Sequence, residues 1–131
     1  MTPMEFHHVG CAVKSIADAL PAYRPLFPNI GEPILVSSQK VRVCFIEMRP
    51  GVYLELVEPA AEDSAVNVFL KKGISYYHNG FLVDDFDAAA AELESQGCRP
   101  LAVFHSEAFG GRRCQFFMNT ALHWIEIIER Q

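Results

Sequence analysis

No Cys-x-x-Cys pair occurs in this sequence; its four cysteines, Cys11, Cys44, Cys98 and Cys114, are scattered and form no paired-thiol motif. No apolar run approaches the roughly 20 residues of a membrane span. The start, Met1–His7, has no basic segment followed by an apolar stretch, so no secretory signal is read there. Without such a signal the cysteines read as reduced, mostly buried thiols of a cytoplasmic protein. Basic residues are the minority: 11 Lys and Arg against 16 Asp and Glu give a formal net charge of −5. That balance argues against a nucleic-acid groove and gives no support to a membrane partner. A small-molecule site is the better expectation.

Hydrophobic residues are plentiful. They make up 50% of the 131 positions, enough for one compact domain or for two half-size modules sharing a core. A repeat favours the modules. "HVGCAVKSIADAL" from His8 aligns with "HNGFLVDDFDAAA" from His78, both reading His-x-Gly-x-x-Val before a polar pair and an Ala-containing stretch. The two halves also end alike, "LELVEP" from Leu54 matching "IEIIER" from Ile125. Two signals at nearly one offset point to a tandem duplication of one supersecondary unit.

Each unit reads β-α-β-β-β. In the first, residues 5–13 alternate as a strand, and Ser15 caps a helix with Ile16, Leu20 and Tyr23 on one face. Pro21 should kink or shorten that helix. Strands follow at 34–37, 41–48 and 52–58, the last two joined by the Arg49-Pro50-Gly51 turn. In the second unit a strand at 78–83 leads to Asp85 as N-cap. Its helix carries Phe86, Ala89, Ala90 and Leu93 and stops at Gly97. Strands near 101–104, 113–118 and 122–128 complete it. Module one thus spans about 5–58 and module two about 76–129, with a linker helix at about 64–72 closed by Gly73. The class is α+β.

The duplicated polar residues carry the chemistry. Each module offers one histidine on its first strand and one glutamate on its last: His8 with Glu55, His78 with Glu126. Side chains alternate along a strand, so Glu55 points away from the face of Leu54 and Leu56. An imidazole or carboxylate on the inner face of an apolar sheet is costly unless paired or metal-bound. Pseudo-twofold symmetry would bring all four to one point. Two neutral imidazoles and two carboxylates suit a divalent transition metal, with room for water or substrate. A strand histidine on its own is usually an ordinary core or half-exposed residue; its repetition together with the glutamate argues otherwise. His7, whose counterpart is Tyr77, is expected on the opposite face, and His105 and His123 are expected outside the ligand set.

With "FHHVGCAV", "DSAVNVFLKKGISYYHNGFLVDD" and "GGRRCQFF", nearly the whole chain resembles the vicinal oxygen chelate superfamily, above all methylmalonyl-CoA epimerases and their near relatives. The resemblance implies paired βαβββ modules forming a U-shaped mixed sheet around a metal site. It places the ligands of one divalent ion (Co, Ni, Zn, Mn or Mg) on His8, Glu55, His78 and Glu126. Glu55 departs from the glutamine that the epimerases can carry there and matches the glutamate of bacterial glyoxalase I enzymes. The Asp-Pro-x-Gly hairpin typical of glyoxalase I is missing, "MNTALHW" standing in its place.

The implied activity is a metal-dependent epimerase or isomerase working through a metal-stabilised enolate, on an acyl-CoA such as methylmalonyl-CoA. The third-strand glutamate that serves some epimerases as a base falls on Val43, leaving Glu126 and Glu47 as candidate proton carriers. Arg112 and Arg113 of the "GGRR" loop are candidate anchors for a substrate carboxylate or phosphate. The alternatives are a glyoxalase I-type lyase or other metal enzyme of the superfamily, and a metal-free binding or resistance protein. A homodimer is expected, with each site built inside one chain, because opening a cavity in a small sheet gives up core packing that a second copy can replace.

Overall fold

The computed structural model describes residues 2–131. Module one opens with β1 (Met4–Ala12) and α1 (Ile16–Tyr23). The Ser15 hydroxyl accepts the Asp18 N–H at 3.2 Å, satisfying one of the free donors of the first turn. Ile16 and Leu20 face the sheet, and with Pro21 inside it the helix stays at eight residues. β2 (Ile34–Val36), β3 (Val41–Arg49) and β4 (Val52–Pro59) follow. Gly51, at φ 82°, turns β3 into β4. The linker helix α2 (Val66–Lys71) is shorter than the sequence suggests.

Module two repeats the pattern with β5 (Tyr76–Val83) and α3 (Phe86–Ser95), capped by Asp85 through the Ala88 N–H at 3.0 Å. The single strand expected near 101–104 is instead two short pieces, β6 (Arg99–Pro100) and β7 (Phe104–Ser106). Between them the Leu101 carbonyl accepts from Gln115 Nε2 at 2.8 Å, so a side chain takes the place of a ladder bond. β8 (Arg112–Met118) and β9 (Trp124–Glu129) complete nine strands among the described residues.

These strands form one sheet in the order β2-β3-β4-β1-β5-β9-β8-β6, with β7 also paired to β8. β1 and β5 are antiparallel neighbours at its centre, and each lies parallel to the last strand of its own module, β4 or β9. The four strands expected to carry the ligands are therefore adjacent. Alternation divides the apolar residues between the faces. Leu54, Leu56, Cys44 and Ile46 pack with Ile16 and Leu20 beneath α1. Phe117, Ile127 and Val83 pack with Phe86 and Ala89 beneath α3. Val43, Val57, Phe104, Phe109 and Phe116 belong to the third cluster, inside the curl.

The sheet curls until its ends meet. Ser37 donates to Glu107 Oε2 from its N–H at 3.2 Å and its hydroxyl at 2.6 Å, and the Ser38 hydroxyl donates to the His105 carbonyl at 3.4 Å. Ser37 and Glu107 begin matching 3-10 turns, Ser37–Gln39 and Glu107–Phe109, each following the short strand of its module. No helix among the described residues is long and apolar enough to cross a membrane.

Candidate metal centre

Strand register explains how the ligand side chains converge. Across the sheet, Glu55 on β4 pairs with Gly10 on β1, which pairs with His78 on β5. In the neighbouring row His8 on β1 pairs with Gly80 on β5, which pairs with Glu126 on β9. Each glycine of a His-x-Gly motif thus stands between a histidine and a glutamate and contributes no side chain. A Cβ on Gly10 would lie 2.3 Å from the His78 ring, and one on Gly80 would lie 2.1 Å from the His8 ring. The motif makes physical sense: each module supplies a histidine and clears the space for the other module's histidine.

All four residues are buried, His8 at 0% exposure, His78 at 2%, and Glu55 and Glu126 at 4% each. His8 Nε2 and His78 Nε2 are 2.9 Å apart. His78 Nε2 lies 3.2 Å from Oε1 of both glutamates, and His8 Nε2 lies 3.2 Å from Glu126 Oε1 and 3.5 Å from Glu55 Oε1. Two donors each about 2.1 Å from one ion and at right angles to each other stand about 3.0 Å apart. The observed spacings fit that arrangement. Glu126 Oε1 is wholly buried, and its neighbours at the common point are the two imidazole Nε2 atoms, each at 3.2 Å. A buried N2O2 donor set of this kind could hold a divalent ion.

Electrostatics within the metal-free group follow from the same contacts. Burial opposes charge on His78, but hydrogen bonds and attraction to Glu126 and Glu55 raise its pKa to about 9. Burial likewise opposes charge on Glu126, and the adjoining His78 outweighs it, holding the carboxyl at about 2. His7, half-buried and beside His8, is lowered to about 4.

The group opens onto a small cavity inside the curl, walled by Val43, Val57, Phe104 and Phe109. Its free volume is about 30 Å³, room for one or two water molecules. Val43 is buried in this wall beside Val57 on the neighbouring strand, so the stretch of wall next to Glu55 is apolar.

The other candidates lie elsewhere. Glu47 accepts from Asn29 Nδ2 at 2.8 Å in a separate groove bounded by Pro28, Phe45 and Tyr53. It shares a strand face with Val43 but stands four residues farther along, and its carboxylate is not brought to the ligand group. Arg113 faces outward, holding Glu129 at 2.7 Å and Asp87 at 3.2 Å with its guanidinium over the Phe86 ring. It ties the sheet to α3, as Arg42 ties to Glu58 at the equivalent place in module one. Arg112 donates to the Arg130 carbonyl. Neither arginine lines the cavity. His105 and His123 are exposed, as expected.

His7 departs from expectation. The β1–β5 register shifts between Phe6 and His8, and this bulge turns His7 toward the same face as His8. Its ring packs against Tyr53, Phe45 and Phe109. Only the His7-His8 doublet hints at this in the sequence.

Residues 7–116 match the family model described as the glyoxalase/bleomycin resistance protein/dioxygenase superfamily. The chain belongs to that superfamily. It is 35% identical over 115 residues to an uncharacterised Bacillus subtilis protein, YqjC, covering 83% of this chain and 79% of the relative. Among solved structures, a methylmalonyl-CoA epimerase from Mycobacterium tuberculosis superposes with a TM-score of 0.84 at 23% identity, covering 97% of this chain and 88% of that one. A variant Streptomyces coelicolor methylmalonyl-CoA epimerase in complex with 2-nitronate-propionyl-CoA superposes at 0.80 and 26% identity, covering 95% and 96%.

Proposed function

We propose that the chain is a divalent-metal-dependent epimerase or isomerase acting on an acyl-CoA thioester of the methylmalonyl-CoA kind. The observation that carries this is the buried, convergent His8, Glu55, His78 and Glu126 group, with Glu126 Oε1 3.2 Å from both imidazole Nε2 atoms at its centre. The likeness to an epimerase that holds an acyl-CoA analogue supports the substrate class. An ion bound there (Co, Ni, Zn, Mn or Mg) supplies positive charge that favours electron density on a carbonyl oxygen.

Proton transfer belongs to the chain. Glu126 takes the proton from the carbon beside the carbonyl, and the electron pair left behind moves toward the carbonyl oxygen. Glu55, related to Glu126 by the pseudo-twofold and entering the turnover as the neutral acid, gives its proton to the opposite face, so that Glu55 ends ionised and Glu126 protonated. The apolar wall at Val43 and Val57 excludes competing water. Glu47, Arg112 and Arg113 take no part.

Val43 also favours a second reading, a glyoxalase-type lyase in which the ligand carboxylates alone move the proton between neighbouring carbons. A homodimer in a cytoplasmic setting completes the proposal, each chain keeping its own four ligands.

The test is solvent-deuterium incorporation at the α-carbon of methylmalonyl-CoA by protein stripped with chelator and reloaded with Co²⁺ or Mn²⁺. Exchange that requires metal and disappears in Glu126→Gln supports the proposal. No exchange by the reloaded protein, with turnover of a 2-oxoaldehyde and thiol instead, selects the lyase. Light scattering at micromolar concentration tests the dimer.

A further inference from the structure

His7 makes one polar contact, and it is to a member of the ligand group. Its Nδ1 lies 2.9 Å from Nδ1 of His8. The rings meet nearly edge to face, 89° between planes and 5.1 Å between centroids. Tyr53 at 4.8 Å and Phe109 at 5.4 Å hold the His7 ring in place. The β1 bulge that turns His7 inward would be a costly way to bury an ordinary aromatic filler, since a regular strand could seat one without it.

Two ring nitrogens at that distance share one hydrogen, one donating it and the other accepting. His8 faces the ligand group with Nε2, 2.9 Å from His78 Nε2. For His8 Nε2 to offer a lone pair, the ring's hydrogen must be on Nδ1. We infer that His7 is a positioning residue, whose Nδ1 accepts the Nδ1–H of His8 and so holds His8 Nε2 as a free lone pair aimed at the ligand group.

Module two has no such device. Tyr77 stands at the corresponding place, and His78 Nδ1 is buried without a partner. Packing against Phe116 at 5.0 Å and Tyr77 at 4.8 Å is what fixes the His78 ring. The two histidines are therefore unequal: His8 is held in one tautomer before any ion arrives, and His78 is not.

This inference deepens the metal-site proposal and rests on it in one arm of its test only. The first arm is ¹⁵N NMR of histidine-labelled, metal-free protein, which reads the tautomer directly. His8 should carry its hydrogen on Nδ1. The second arm is Co²⁺ affinity measured by competition with a chelator. Loss of a hydrogen-bond partner behind a ligand histidine typically weakens binding about 10–100-fold, so His7→Phe, which keeps the packing, should show that loss. His7→Gln, whose amide oxygen can accept, should recover most of it. His8 found with its hydrogen on Nε2, or His7→Phe binding Co²⁺ as tightly as the natural protein, overturns the inference. Should the natural protein bind no Co²⁺ at all, the metal proposal fails and the NMR arm alone decides the role of His7.

Discussion

A Cβ on Gly80 would stand 2.1 Å from the His8 ring, and the reciprocal contact, Gly10 against His78, would be 2.3 Å. The obstruction is a buried imidazole seated against the sheet, so it cannot be relieved by the swing of a flexible chain end. Gly80→Ala and Gly10→Ala should each destabilise the fold by about 3 kcal/mol or more, the upper range for overpacking. Each should also displace a ligand histidine. Chemical denaturation and Co²⁺ binding check both effects, and an alanine variant that keeps full stability and metal affinity would rule the packing argument out.

The pH dependence follows from His78 and Glu126. The pKa of His78 is raised from 6.5 to about 9, so its contribution to stability is complete below about pH 6.5 and is lost as pH rises through 9. That of Glu126 is lowered from 4.5 to about 2, so its contribution is present above 4.5 and is lost as pH falls toward 2. For these two groups the metal-free protein is best stabilised between about 4.5 and 6.5. An ion must displace the His78 proton, so affinity should rise about tenfold per pH unit between 6.5 and 9. Calorimetry at pH 7.5 in two buffers of different ionisation enthalpy should detect about one proton released per ion. The unperturbed imidazole value would have put this competition only below about 6.5; the two neighbouring carboxylates move it upward.

Glu47 and Arg113 offer a separation of roles. Glu47→Gln should leave metal binding and exchange activity intact, since its carboxylate serves Asn29 in another groove. Arg113→Ala should lower the melting temperature slightly while sparing activity, because its partners Glu129, Asp87 and Phe86 all lie on the outer face. A loss of turnover in either variant, with fold and metal content unchanged, would place that residue back in the reaction.

Legibility from the sequence followed local physics. Alternation placed Glu55 and Glu126 on the inner face, and the 70-residue repeat paired His8 with His78, so the convergence of these four residues and the two-module sheet were readable. The repeat also misled. Matching His7 with Tyr77 put His7 on the far face, because a bulge set by the pairing of β1 with β5 is not encoded within β1. The "GGRR" loop named Arg113 as an anchor, and its partner Glu129, 16 positions away, became visible only in the register. The role of Gly10 and Gly80 required the register, since each glycine's space is used by a residue of the other module.

Entry to the cavity should depend on the contact between Ser37 and Glu107. With a free volume of about 30 Å³, the cavity gains room for an acyl group if the ends of the curled sheet part. Glu107→Ala removes an acceptor of two hydrogen bonds. At about 0.5 kcal/mol net for each of these exposed bonds, opening should become roughly fivefold more favourable. Stopped-flow removal of Co²⁺ by excess chelator should accelerate accordingly, and an unchanged rate would mean that access runs by another path.

The exchange between His8 over Gly80 and His78 over Gly10 has an ancestral consequence. It needs two facing copies of one motif, but no peptide between them. A chain half as long, pairing with itself about a true twofold, would assemble the same four donors from two identical halves. Fusion into one polypeptide releases the halves from having to mutate together. His7 opposite Tyr77 is what that release permits: a support for one ligand that a symmetric pair would have been obliged to build twice.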